Sequence, residues 1–189
     1  ANMPKDTVDR AIKRGTGELA GEQIESITYE GFAPGGAAVL VETLTDNKNR
    51  TFSNLKHIFS AHGGNLGTSG SVMWMFERKG VVRVAMASQP GGSGSGNTKD
   101  ELEMKLIEAG AQDIKEEGDF LTIYTLPDEL NKVKEKVESV GIKIESAELE
   151  YVGKEALATD DATREKIVSM FDELDADDDV QNFFTNADI

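Results

Sequence analysis

Two short stretches hold residue types suited to gripping phosphate or a nucleobase. Asp46-Asn47-Lys48-Asn49-Arg50-Thr51 offers Lys48 and Arg50 as phosphate ligands, with Asn47 and Asn49 as neutral donors beside them. Gly63-Gly64-Asn65-Leu66-Gly67-Thr68-Ser69-Gly70 contains four glycines in eight residues. Glycine at that density costs backbone entropy, and it permits close approach and presents main-chain N–H groups to an anion or a packed base. Composition alone fits a long hairpin connection equally well. The basic segment at the other end of the intervening helix favours nucleic acid.

That intervening helix is predicted from its spacing. Phe52, Leu55, Ile58, Phe59 and His62 share one face, whereas Arg50, Ser53, Asn54 and His57 fall on the opposite side. Asp46–Thr51 caps it, and Lys56, Arg78 and Lys79 extend the basic character. The expected site is one RNA- or DNA-facing surface made of Asn47, Lys48, Asn49, Arg50, Asn54, His57, Gly63, Gly64, Asn65, Gly67, Thr68, Ser69 and Gly70.

Other chemistries lack their signals. His57 and His62 are splayed by about 140° on a helix, and no His-Glu-x-x-His pattern accompanies them. Asp175, Asp177 and Asp179 match the first three ligand positions of a calcium loop, but Val180 stands where that loop needs Gly and Asn186 where it needs a bidentate Glu. Nucleophile elbow, Walker loop and dinucleotide fingerprint are missing, and the chain has no cysteine. No catalytic residue, metal or cofactor is expected.

The formal net charge of −15 argues at first against a phosphate partner. The average conceals an asymmetry. Residues 1–83 carry ten Lys/Arg against nine Asp/Glu, whereas residues 84–189 carry ten against twenty-six. The first part is the natural nucleic-acid face, and the acidic second part suits a protein partner or solubility. No apolar run approaches the roughly 18–20 residues that span a bilayer, so a cytoplasmic compartment is expected, mitochondrial in a eukaryote.

The surrounding elements read as α/β (α+β). A short helix is predicted over residues 3–14, from Pro4 to the stop at Gly15. Strands follow from Ile24, through the Pro34-Gly35-Gly36 turn and the apolar run Ala37 to Leu44; another is expected over Val72 to Phe76. Residues 80–152 then spell strand, helix, strand, strand, helix, strand, with strands near 80–87, 111–116, 119–125 and 142–151. That βαββαβ order is ferredoxin-like. Thr98 with Glu101 caps the first of its helices; Pro127 opens the second, whose stripe is Leu130, Val133, Val137 and Val140. Ser88 to Asn97 reads as a loose loop. A last helix carrying Ile167, Met170, Phe171 and Leu174, with a strand from Val180 to Phe184, needs a sheet to pack on. Two ferredoxin-like-type α/β units are expected: a discontinuous domain of 20–78 plus 154–189, and an inserted one of 79–153. Residues 1–19 would be the remnant of a helical N-terminal domain.

Several of these segments together resemble the YebC/PmpR family, which includes the mitochondrial translational activator of cytochrome c oxidase. They are Ala1-Asn2-Met3-Pro4 with Arg10-Ala11-Ile12, Tyr29-Glu30-Gly31 with Pro34-Gly35-Gly36, Thr45 to Thr51, His62 to Gly67 through Gly70-Ser71-Val72 to Phe76, and Asp179-Val180-Gln181 with Asn186. The resemblance covers essentially the whole chain. It implies three domains, the third inserted in the second, and a non-enzymatic gene-expression factor. That factor would be either a DNA-binding transcriptional regulator or a ribosome-associated translation factor that helps synthesis through proline-rich stretches. The family's basic N-terminal segment is absent, and Lys48 replaces a common Arg, keeping charge without the planar fork.

The leading expectation is therefore a translation factor contacting ribosomal RNA. The alternative is a regulator of promoter DNA, although no helix-turn-helix or zinc-finger pattern supports groove reading. A third possibility treats the ferredoxin-like unit as a small-ligand module.

Overall fold

Alternating residues from Glu25 and an apolar run after the Pro-Gly-Gly turn build an antiparallel hairpin of β1 (Glu25–Phe32) and β2 (Ala38–Thr45). Its register runs from Glu25 opposite Thr45 to Phe32 opposite Ala38. The computed structural model describes residues 24–85, 104, 106–117, 120–139 and 141–189. The helix expected at 3–14, the cap at Thr98 and Glu101, the loop at 88–97 and Val140 lie outside these.

The chain divides into two compact units, one ending at Phe76 and resuming as Gly153–Ile189, the other Glu77–Val152. In the first unit the hairpin is followed by α1 (Lys48–Ala61) and the short β3 (Asn65–Leu66), which pairs with β1. After the second unit come β8 (Leu157–Ala158), α3 (Asp161–Asp175), β9 (Val180–Thr185) and β10 (Ala187–Asp188). β9 pairs antiparallel with β2, giving a sheet of order β3-β1-β2-β9, while β10 and β8 form a small parallel pair. Leu55, Ile58 and Phe59 of α1 and Ile167, Met170, Phe171 and Leu174 of α3 share a core with Val39 and Val41. Both helices therefore cover one face of the sheet. Two helices on four antiparallel strands is a ferredoxin-like build, here with the chain order changed to ββαβ followed by αβ.

The second unit comprises most of β4 (Phe76–Ala85), a helical stretch at 106–109, β5 (Ala111–Glu117), β6 (Phe120–Thr125), α2 (Leu130–Ser139) and most of β7 (Ile144–Gly153). Its sheet order β5-β6-β4-β7 is that of the ferredoxin-like fold. Val82, Val84, Leu121, Ile123, Val133 and Val137 form its core.

Two local expectations are corrected. Val72 to Phe76 is not a strand: Met73–Met75 form a 3-10 turn and β4 begins at Phe76. The chain turns there because Glu30 draws the main chain in, as described below. Phe52 is 44% exposed and does not join the core that its spacing suggests, since the face centred on Leu55 and Phe59 already fills the space over Val39 and Val41.

Candidate nucleic-acid interface

The Asp46–Thr51 segment begins α1 through side chains. Asn47 is the N-cap, its Oδ1 accepting the Arg50 N–H at 3.1 Å, and Thr45 Oγ1 accepts the Asn47 N–H at 2.9 Å. Asp179, which is 8% exposed, then closes the segment from 129 residues away. Its Oδ1 and Oδ2 accept Arg50 Nη2 at 2.7 and 2.9 Å, and Oδ2 accepts the Thr51 hydroxyl at 2.7 Å. Burial alone would raise this carboxyl, but Arg50, Thr51 and Thr45 outweigh it and hold Asp179 below the usual carboxylate range. Arg50 also lies 3.0 Å from Asp46. Arg50 is therefore half of an internal ion pair, which corrects its reading as a freely available phosphate ligand.

The Gly63–Gly70 stretch likewise holds an anion, and that anion is internal. Gly63 ends α1 with φ +83°, a conformation glycine adopts without steric cost, and a Cβ on Gly64 would run into Phe32 O. The chain then pairs along β1 and turns beneath it. Glu30, 5% exposed, accepts the Gly70 N–H on Oε1 at 2.6 Å and those of Val72 and Met73 on Oε2 at 2.7 and 2.8 Å. Gly67 N–H adds a bond to Glu30 O at 2.7 Å. Burial pushes the Glu30 carboxyl up; the three N–H groups and that of Ser71 bring it below its ordinary value. The main-chain nest inferred from the glycines exists, with Glu30 as its occupant.

The two stretches do not meet. They lie at opposite ends of a 14-residue helix, about 20 Å apart at 1.5 Å per residue. Glu30 also points away from the helices, since its neighbours Tyr29 and Gly31 face them, so residues 70–73 lie on the far face of the sheet. The single joint surface is corrected accordingly. Asn54 is bound to Asp177 at 3.2 Å and His62 to Glu173 at 2.7 Å. Asn65, Thr68, Ser69 and Gly70 are exposed, and Gly67 is half-buried.

What remains open on α1 is a coherent strip. Lys48, Asn49, Phe52, Ser53, Lys56 and His57 are all exposed, and α1 contains no acidic residue. Lys48, Phe52 and Lys56 follow at four-residue intervals and so line up. Phe52 leans on Tyr29 with ring centroids 6.3 Å apart, and the Tyr29 hydroxyl donates to Lys48 O at 3.2 Å. Burial first, then Asp179 and Glu25, push that hydroxyl's pKa up, which keeps it a donor. Among the described residues Lys48 has one loose acidic neighbour, Glu25 at 3.8 Å, in an exposed contact.

Residue spacing gives no site role to Glu30, Tyr29 or Trp74, assigns Phe52 to the core, and sets Asp179 only against a calcium loop. An acid set between Tyr29 and Gly31 in the inner half of β1 was the available sign for Glu30, because buried carboxylates need partners. Among the described residues no group of three His, Cys, Asp or Glu could hold a metal, and no helix is long and apolar enough to cross a membrane.

Residues 24–187 match the family model described as the TACO1/YebC second and third domain. A probable transcriptional regulatory protein of Desulforapulum autotrophicum is 46% identical over 188 residues, covering 100% of this chain and 73% of that protein. One of Treponema pallidum is 47% identical over 190 residues, covering 100% and 74%. The crystal structure of a conserved hypothetical protein from Aquifex aeolicus superposes with a TM-score of 0.78 at 43% identity, again over 100% of this chain and 74% of that one. Matched by the family model over residues 24–187 and 46–47% identical to these relatives, this chain belongs to the TACO1/YebC family.

Proposed function

We propose that the protein is a non-enzymatic gene-expression factor that binds nucleic acid through the outward strip of α1, with ribosomal RNA as its target and translation through proline-rich stretches as its task. The observation carrying this reading is an acid-free helix, bearing Lys48, Phe52 and Lys56 in line, in a chain of net charge −15. Two ammonium groups flanking an exposed ring can hold successive phosphates while a base stacks between them. Unstacked bases of that kind belong to RNA loops and single strands. The compartment is then cytoplasmic, and the two units correspond to the second and third domains of the family, the third inserted.

Duplex DNA is the second reading, favoured by the name shared by the Desulforapulum and Treponema relatives, probable transcriptional regulatory protein. Co-sedimentation with ribosomes over a salt series separates the two. Lys48→Ala with Lys56→Ala should weaken ribosome association and lower the salt slope by about 1.4 for a single-stranded contact. Association that is insensitive to both substitutions, or binding that duplex DNA but not RNA competes away, would sink the RNA reading.

A further inference from the structure

We propose that Trp74 is a stacking platform for an unpaired nucleobase, a second nucleic-acid contact on the first unit. The inference rests on the nucleic-acid reading above and adds a ligand group and a residue to it. Trp74 is the only tryptophan of the chain and is 67% exposed, although Val72 and Phe76 on either side of it are buried. The 3-10 turn Met73–Met75, closed by Met75 N–H on Val72 O at 2.8 Å, aims it outward. Its one polar atom is already used: Nε1–H donates to Ser71 O at 3.1 Å. The ring is thus fixed at its edge, leaving its π surface for contact.

The surroundings select a base over an apolar protein surface. Trp74 lines a cleft of about 210 Å³ with Met75, Lys154 and Glu155, smaller than the roughly 300–1,000 Å³ typical of sites for drug-sized molecules. Lys154 Nζ donates to Trp74 O at 2.8 Å, and an ammonium has three donors, so the same side chain can also meet a phosphate beside the stacked base. Thr68, Ser69 and Gly70, exposed on the same turn-rich segment, are polar or lack a side chain. Stacking on an indole needs only a π face and tolerates any base, which suits a contact that supplements the strip on α1.

A lone tryptophan makes its own emission the reporter. The full chain is titrated with a fluorescein-labelled single-stranded 12-mer RNA, the DNA of the same sequence, and the corresponding duplex, reading anisotropy of the label and tryptophan emission separately. Stacking predicts saturable quenching of Trp74 by the single strands, with little by the duplex. Trp74→Ala should raise the Kd for the single strands about 10-fold, and Trp74→Phe should restore most of the affinity. Anisotropy showing RNA bound, with unquenched emission and an unchanged Kd in Trp74→Ala, overturns the platform and leaves the α1 reading standing. No anisotropy change with any nucleic acid overturns both. An emission shift that depends on protein concentration without nucleic acid, together with unaltered RNA affinity in Trp74→Ala, assigns the residue to self-association and also overturns the platform.

Discussion

The two ends of α1 solve one problem in two ways. At its start, Asp179 is held chiefly by side chains, the Arg50 fork and the Thr51 and Thr45 hydroxyls. Past its end, Glu30 is held by main-chain N–H groups of Gly70, Val72 and Met73. A carboxylate and a phosphate oxygen ask for the same thing, converging donors, and both stretches look like phosphate sites because each serves an acid from elsewhere in the chain. Side-chain donors can be lost one at a time by substitution. Backbone donors persist whatever side chain they carry, so only the acid itself, or the loop's conformation, can be altered.

That contrast can be broken experimentally. The largest effect is expected from Glu30→Ala, which strands three N–H donors at once, that of Val72 fully buried, and should cost about 3 kcal/mol, read as a lower urea midpoint at unchanged slope. A midpoint within error of the parent would mean that the nest is filled by water at no cost. Asp179→Ala should cost about 2 kcal/mol, less because the half-exposed Arg50 can turn to water while Thr51 and Thr45 can still bond each other. Equal losses at the two sites would erase the proposed distinction.

Acid should act on both sites gradually. Each carboxyl is held below its ordinary value, 4.5 for Glu30 and 3.8 for Asp179, so between the folded and ordinary values the unfolded chain binds more protons. The stabilisation is whole above those ordinary values and is lost as pH falls through the lower folded ones. Urea midpoints from pH 6 to pH 3 should decline, and the decline should be shallower in Glu30→Gln; identical profiles would count against Glu30 as a contributor. The smallest effect is Asn47→Ala, about 1 kcal/mol for one lost cap, with RNA affinity retained. If Asn47→Ala weakened RNA binding as strongly as loss of both Lys48 and Lys56, the cap itself would be part of the interface.

Much of the fold was legible because it is local. The stripe of Leu55, Ile58 and Phe59 and the stripe of Val133 and Val137 follow from near-neighbour periodicity, and both lie in the cores. The site was legible only in outline. Ser53 and His57 are exposed on α1 as their spacing suggested, but the occupants of the two donor clusters lie 129 residues from Arg50 and 40 residues from Gly70. No periodicity reports such a pairing. Phe52 shows the reverse failure: its phase on the helix is apolar, yet the core is already full without it, a matter of volume and not of pattern.

One feature of the first unit bears on how the protein is made. Its edge strand β9 and the buried Asn186, whose Oδ1 accepts the Ala38 N–H at 2.8 Å, follow the whole of the inserted unit in the chain. During synthesis the guest is complete before its host, and the bare edge of β2 waits for residues that emerge after the guest. A chain that stops between Val152 and Val180 is a finished guest on a host whose β2 edge is open. The strip on α1 therefore reaches its final setting only after β9 has been made and paired with β2.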